Sequence, residues 1–231
     1  MSIADVQRPD PSVLDAVDAF KGLDDAARVQ VLQLAARRKF ERGDIAFRQG
    51  EAASAFFVLL AGRLRMTKAT PEGQQTTLRY IGPKESFGCV AVCGNHDYPA
   101  TATAAEDCWA LGWTRAQTEA LAERFPKIAI NVMRVMSGRL EEVQARLGEL
   151  AYDRVERRIA QALVRLVAQA GRRSPEGIVI DLVLSRQDLA EYAGTTLATA
   201  SRTLSAWEDR GIVAVGRQKV MIRSPHGLMA I

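Results

Sequence analysis

The stretch LSRQDLAEYAGTTLATASRTLSAWEDRGIVAV, residues 184–215, decides how this chain is read. Ser185 precedes a short segment with Leu189 and Ala190 and is placed to cap its helix. Gly194 supplies the backbone freedom that a sharp turn between two steeply crossing helices needs. Thr195 or Thr196 then caps a second helix, whose inward face is expected to be Leu197, Ala200, Leu204 and Trp207 or Ala206. The opposite face offers Ala198, Thr199, Ser201 and Arg202. Short side chains around one guanidinium suit a helix entering the DNA major groove, where Arg grips guanine O6 and N7 together. Ile212-Val213-Ala214-Val215, then Gly216-Arg217-Gln218-Lys219, then Val220-Met221-Ile222 predict a basic hairpin, the wing of a winged helix-turn-helix. Arg217 and Lys219 would meet backbone phosphates there. Helix-turn-helix patterns also occur as plain αα-corners, so pattern, wing and local basicity together carry the reading.

N-terminal to this stretch, Val155, Ile159, Leu163, Leu166 and Val167 predict an amphipathic helix from Arg154 to about Ala170, with Gly171 as its C-cap. Residues 171–177 read as a loop and Ile178–Leu184 as a strand. Before them lies the clearest periodicity in the chain. Ala129, Met133, Met136, Leu140, Val143, Leu147 and Leu150 alternate steps of four and three, an a/d seam over three heptads. Arg134, Arg139, Glu141, Glu142, Arg146 and Glu149 flank it. So narrow and long a stripe is expected to pair with a second copy, against the plainer reading of a helix packed on its own domain.

From about residue 40 to 113 the texture changes. Glycines punctuate short apolar runs at 55–60, 64–67, 76–81, 100–104 and 108–113, which suggests a β-sandwich or barrel. Pro71-Glu72-Gly73 is a turn signal. Thr114 and Gln117 form a capping box that opens a helix ending at Phe125-Pro126. Residues 13–39 read as helix, with Asp24 capping its second part. The resulting plan is α+β: a flexible arm (1–12), a β-roll sensor domain with flanking helices (13–125), a dimerisation helix (126–150) and a winged helix-turn-helix domain (151–231).

Bulk properties agree. Residues 1–149 carry nineteen basic and nineteen acidic side chains, whereas residues 150–231 carry twelve against eight, so the whole net charge of +4 lies in the last third. That is the electrostatic footprint of a segment that meets phosphates, although a solvated face would give the same count. No window supplies the ~20 apolar residues of a membrane span, and the N-terminus lacks the pattern of a secretory signal. Three cysteines, Cys89, Cys93 and Cys108, are too few for a disulfide scaffold and fit a reducing cytoplasm.

The chain resembles the Crp/Fnr family of bacterial transcription regulators over nearly its whole length. The residues that carry the resemblance are Arg42-Gly43-Asp44-Ile45-Ala46-Phe47-Arg48-Gln49-Gly50-Glu51, Phe57-Val58-Leu59-Leu60-Ala61-Gly62-Arg63-Leu64, Phe87-Gly88, Pro99-Ala100-Thr101-Ala102, Arg158-Ile159-Ala160, Ser185-Arg186-Gln187-Asp188-Leu189-Ala190 and Ser201-Arg202. The resemblance implies a cyclic-nucleotide-binding-type β-roll (a double-stranded β-helix or jelly roll), a long dimer helix and a winged helix-turn-helix. It also implies a cytoplasmic homodimer that binds twofold-symmetric DNA and, as activator or repressor, recruits or blocks RNA polymerase. The DNA-facing set is Ser185, Arg186, Gln187, Thr196, Ala198, Thr199, Ser201, Arg202, Arg217 and Lys219. Arg202 is expected on guanine and Ser201 on a neighbouring thymine. Members usually carry Glu at the position of Ala198, where it accepts from cytosine; the alanine methyl can only touch a thymine methyl. A TTG-type half-site, inverted about one helical turn away, follows.

The departures bear on the signal. Members that bind cyclic AMP carry Phe-Gly-Glu and then Arg-Ser-Ala-Thr, in which Glu holds the ribose and Arg the cyclic phosphate. Here Cys89 stands for the Glu and Tyr98-Pro99 for the Arg-Ser. A cyclic phosphate needs a cation and oriented N–H donors, and proline has no N–H. The base-holding Thr-Ser pair is replaced by Val143 and Gln144. Cyclic AMP is therefore not the expected effector. Residues 1–40 lack the cysteine cluster of the iron–sulfur branch, and three cysteines are one short of four ligands. The candidate effector pocket is Phe87, Gly88, Cys89, Cys93, His96, Tyr98, Pro99, Ala100 and Thr101. Cys89, Cys93 and His96 admit haem ligation, thiol redox chemistry or another small ligand; the stronger reading is that Cys89 and Cys93 are small buried apolar residues in an apolar segment. No metal site is expected. His226 reads as a solvated loop residue. A β-barrel metalloenzyme would need two or three His ligands in the barrel, where only His96 falls. A signalling module without DNA binding is the other alternative, and the winged helix-turn-helix argues against it.

Overall fold

The computed structural model describes residues 10–72, 75–92 and 96–231. Contacts divide them into two units, one from residues up to 69 with 79–143, the other from 70–78 with 144–231.

The first unit holds a β-roll. Its strands are β1 (Ala36–Phe40), β2 (Ile45–Phe47), β3 (Ala55–Ala61), β4 (Leu64–Ala69), β5 (Gln75–Ile81, which runs across the unit boundary), β6 (Ser86–Phe87), β7 (Thr101–Ala104) and β8 (Cys108–Thr114). They form two four-stranded sheets, ordered β1-β8-β3-β6 and β2-β7-β4-β5. Strand β3 explains its own composition. Alternate side chains point to opposite faces, so Phe56, Val58 and Leu60 enter one core while Phe57 and Leu59 enter the other. A strand buried on both faces reads as a continuous apolar run. The first core also takes Leu14, Phe20, Val31 and Trp113. The Trp113 indole N–H donates to Val31 O at 2.8 Å, and Phe20 meets that ring edge-on at 5.3 Å.

The expected helix over 13–39 is broken. Two 3₁₀ turns, Pro11–Ala16 and Asp18–Phe20, flank an extended Val17. Asp24 does cap α1 (Asp25–Gln33), accepting from Ala27 N–H at 2.8 Å. Ala36–Phe40 is a strand because it pairs antiparallel with Cys108–Gly112, a long-range ladder that overrides local helical spacing. Pro11 and Ser12, expected in a loose arm, belong to the first 3₁₀ turn; residues 1–9 of that arm, and Gly73 of the predicted turn, lie outside the described residues.

Helix α2 (Arg115–Arg124) starts at the Thr114–Gln117 capping box. Pro126 opens α3 (Pro126–Tyr152), a helix of 27 residues. Among the described residues no helix is long and apolar enough to cross a membrane.

The second unit contains the C-terminal part of α3, then α4 (Val155–Ala170), β9 (Gly171–Ser174), β10 (Gly177–Ile180), α5 (Arg186–Ala193), α6 (Leu197–Asp209), β11 (Val213–Gly216), β12 (Lys219–Ile222) and α7 (Pro225–Met229). Its sheet runs β11-β12-β10-β9. Residues 171–177 are thus not a plain loop: Gly171–Ser174 pairs with Gly177–Ile180, and the strand expected to reach Leu184 stops at Ile180. Gly177 has φ +145°, and a Cβ there would lie 2.2 Å from Ile222 O, so only glycine fits the hairpin. Gly171 caps α4 in an extended conformation, not the left-handed one of a usual glycine C-cap.

Candidate nucleic-acid interface and effector pocket

The two helices of the predicted helix-turn-helix are built as the sequence pattern requires. Ser185 Oγ accepts from Asp188 N–H at 3.0 Å, and the Asp188 carboxylate accepts from Ser185 N–H at 2.9 Å, a reciprocal capping box. Gly194 adopts φ +63°, ψ +45° and ends α5. Arg158 donates to Gly194 O at 3.0 Å and satisfies one carbonyl at the turn. Thr196 caps α6 by accepting from Thr199 N–H at 3.2 Å.

Helix α6 buries Ala200, Thr203, Leu204 and Trp207. Leu197, placed inward on sequence, is exposed, and of the alternatives Trp207 and Ala206 it is Trp207 that is buried; the helical repeat also puts Thr203 in the buried row. On the other side Ala198 and Arg202 are exposed, with Thr199 and Ser201 half-buried beside them. Arg186 and Gln187 are exposed at the start of α5, and Gln187 donates to Glu191 at 2.9 Å. The β11–β12 hairpin turns at Arg217 and Gln218, leaving Arg217 and Lys219 exposed. All ten DNA-facing candidates lie in the second unit. His226 is exposed as expected, but on the short helix α7 rather than in a loop.

One feature of this unit carried no sequence signal. Tyr192 of α5 is buried, and the guanidinium groups of Arg146 and Arg165 lie 4.7 and 5.6 Å from its ring centroid. Arg146 also donates to Tyr192 O at 2.8 Å, while Arg165 pairs with Glu149 at 2.6 Å. These contacts fasten α5 to the C-terminal part of α3 and to α4.

Along α3 the seam faces solvent. Met133, Leu140, Val143, Leu147 and Leu150 are each more than half exposed, and Met136 is 37% exposed. Ala129 is half-buried. The side chain of Leu150 lies against Gly194.

In the first unit, a pocket of about 190 Å³ opens beside the 3₁₀ turn Cys89–Val92. Four of the nine candidate residues line it: Gly88, Cys89, Tyr98 and Pro99. Phe87 and Ala100 are buried, Thr101 accepts from Gln49 N–H at 3.0 Å, and His96 is exposed; none of these lines the pocket. Cys93 lies outside the described residues. Phe47, Met66, Val90, Met136 and Arg139 complete the lining. Arg139 is the informative addition, because its guanidinium donates to Ser86 O at 2.5 Å and to Cys89 Sγ at 3.3 Å. Sequence periodicity had set it merely beside the seam. Among the described residues no group of three His, Cys, Asp or Glu side chains is arranged for a metal. Burial pushes the Cys108 thiol up to about 11, which keeps it protonated at neutral pH.

Comparison with known proteins agrees with this geometry. Residues 37–125 match the cyclic nucleotide-binding domain family, and residues 157–231 match the Crp-like helix-turn-helix domain. The chain is 31% identical over 187 residues to the cyclic AMP receptor protein of Thermus thermophilus, covering 81% of this chain and 83% of that one. It is 26% identical to the global nitrogen regulator of Synechococcus elongatus, over 82% and 86% of the two chains. Among solved structures, the catabolite activator protein of Thermus thermophilus superposes with a TM-score of 0.54 at 30% identity, over 92% of this chain and 96% of the other. FixK2 from Bradyrhizobium japonicum superposes with a TM-score of 0.73 at 21% identity, over 85% and 96%, and shows the shared fold.

Proposed function

The chain belongs to the Crp/Fnr family of DNA-binding transcription regulators, and from that premise we propose that it works as a homodimer on a twofold-symmetric operator, under a signal other than cyclic AMP. The observation that carries the reading is the division of α6. Ala200, Leu204 and Trp207 are sunk in the domain, which leaves Ala198, Ser201 and Arg202 on an outward face near a capped N-terminus. A helix so held can enter a major groove with its base-reading side chains fixed by packing behind them. The solvent-facing seam of α3 supports pairing of two such chains, because a contiguous apolar stripe of this kind marks an association surface. Two reading helices would then meet half-sites about one helical turn apart, with a TTG-type core and weak preference opposite Ala198.

The case against cyclic AMP rests on pocket chemistry. Where related receptors place an arginine and a hydroxyl donor for the phosphate, this chain has the aromatic Tyr98 and the donor-less Pro99. Cys89 stands where the ribose-binding carboxylate would be. The relative from Thermus thermophilus is named for cyclic AMP, and by the resemblance drawn from the sequence these are the positions at which this chain would differ from receptors of that kind. The protein would act in the cytoplasm, activating or repressing through RNA polymerase.

Selection of bound duplexes from a random library with the purified protein tests the reading. An enriched inverted repeat with its half-sites on one face of the helix is expected. Enrichment without symmetry would refute the dimeric mode, and no enrichment at low salt would refute operator binding.

A further inference from the structure

Helix α3 presents another face within the first unit, lined by Arg134, Gly138 and Glu142. At 3.6 residues per turn, Arg134, Gly138 and Glu142 lie roughly opposite the seam, so pairing along the seam leaves them uncovered. Against this face the segment around Lys21 and the turn around Lys84 enclose a groove of about 580 Å³, wholly within the first unit. Its size falls within the ~300–1,000 Å³ range of small-molecule sites.

The groove carries uncompensated positive charge. Arg79 and Glu85 neutralise each other as an ion pair. Lys21, Lys84, Arg134 and Arg139 remain, against Asp18 and Glu142. Lys21, Lys84 and Arg134 form no ion pair among the described residues. The Nε of Arg139 is buried without a hydrogen-bond partner there. Lys84 has φ +73° in the turn that Glu85 closes by donating its N–H to Gly82 O at 3.2 Å, and this turn forms one wall of the groove. Gly138 is the most telling residue. Glycine is a poor helix former, and a Cβ at this position would meet nothing within 4 Å, so packing does not demand it. It lines the groove between Arg134 and Glu142, where a side chain would project into open space.

We propose that this groove binds a phosphorylated small molecule carrying at least two negative charges, separately from the pocket beside Cys89. Phosphate oxygens accept charge-assisted hydrogen bonds from guanidinium and ammonium groups in this geometry. The two cavities share Arg139, which lines both and donates to Ser86 O and Cys89 Sγ. A phosphate that draws on Arg139 competes with those bonds, so filling the groove alters the wall of the neighbouring pocket.

The test is calorimetric titration of the full-length protein with inorganic pyrophosphate and, separately, with ATP, at ~0.15 M salt, where loose surface attraction is screened. Saturable binding of either is expected. Arg134→Gln should weaken it by about tenfold or more, the worth of a charged hydrogen bond. Gly138→Leu should do the same by filling the groove without changing its charge. Equal affinity for both ligands would assign recognition to the phosphates alone, and tighter ATP binding would add nucleoside contacts to the same site. Absence of saturable binding by both ligands, or binding that is unchanged in Arg134→Gln, overturns the proposal. Should Gly138→Leu not fold, Arg134→Gln decides by itself. Operator binding measured in parallel by fluorescence anisotropy keeps failure of the groove separate from failure of DNA recognition.

Discussion

The ring of Tyr98 lies flat on Phe47, with centroids 3.8 Å and planes 11° apart. Its hydroxyl is closed off by Ala55, donating to the carbonyl at 2.7 Å and accepting from the N–H at 3.0 Å. Tyr98 is thus tied into the β-roll core and offers no cation to a phosphate. The expected result of calorimetry with cyclic AMP is no binding at micromolar concentration. Micromolar affinity would mean that Arg139 or another group takes over the phosphate.

Arg202 is the exposed cation of the outward face of α6. Arg202→Ala should cost about 1–3 kcal/mol of operator affinity and relax discrimination at one base pair. Anisotropy titrations against operators substituted base by base will measure this. A loss that is uniform across sequences would reassign Arg202 to backbone contact.

Arg217 lies in the turn of the β11–β12 hairpin and Lys219 opens β12, and both are exposed. Replacing both by Gln should weaken specific and non-specific DNA alike. It should also flatten the plot of log affinity against log salt by about 2, near one counterion-release unit per lost cation. An unchanged slope would remove the wing from the interface.

Leu140 and Leu147 are 57% and 61% exposed in the single chain. If both are buried against a partner, Leu140→Glu with Leu147→Glu forfeits roughly 1.5–3 kcal/mol per leucine and adds buried charge. Sedimentation should then show monomer, and palindromic DNA should be bound weakly. Persistence of a dimer would move the interface elsewhere.

The Cys108 thiol, raised to about 11, titrates well above the ordinary thiol range because it is buried near Glu106 and Asp107. Only the thiolate is nucleophilic, so alkylation of Cys108 in the folded protein should be slow at pH 8 and accelerate as pH approaches 11. The folded-state value is raised, so its stabilising contribution is full below the unfolded thiol pKa of ~8.5 and is lost as pH climbs from there through 11. Mass-spectrometric labelling in native buffer, with urea-unfolded protein as reference, will measure the difference. Rapid native labelling at pH 8 would contradict it.

Much of this architecture was legible in the sequence because its signals are local. Capping residues such as Thr114, Ser185 and Thr196 bond to groups three residues away, and Gly194 marks its turn by its own backbone angle. Strand β1 was misread because its partner lies about seventy residues further on. The pocket was half visible. Gly88, Cys89, Tyr98 and Pro99 come from one neighbourhood, whereas Phe47, Met66 and Arg139 reach it from separate elements. Thr203 was missed for another reason: it is polar yet buried, and hydrophobic periodicity assigns such a residue outward.

The bare stripe along α3 has a cellular consequence. A lone chain leaves that surface wetted; if two chains close over it, the number of competent readers depends on how many chains are present. Under that pairing, promoter occupancy at scarce copy number would climb with the square of the number of chains, and doubling the output of the gene that encodes this chain would act as an instruction in its own right.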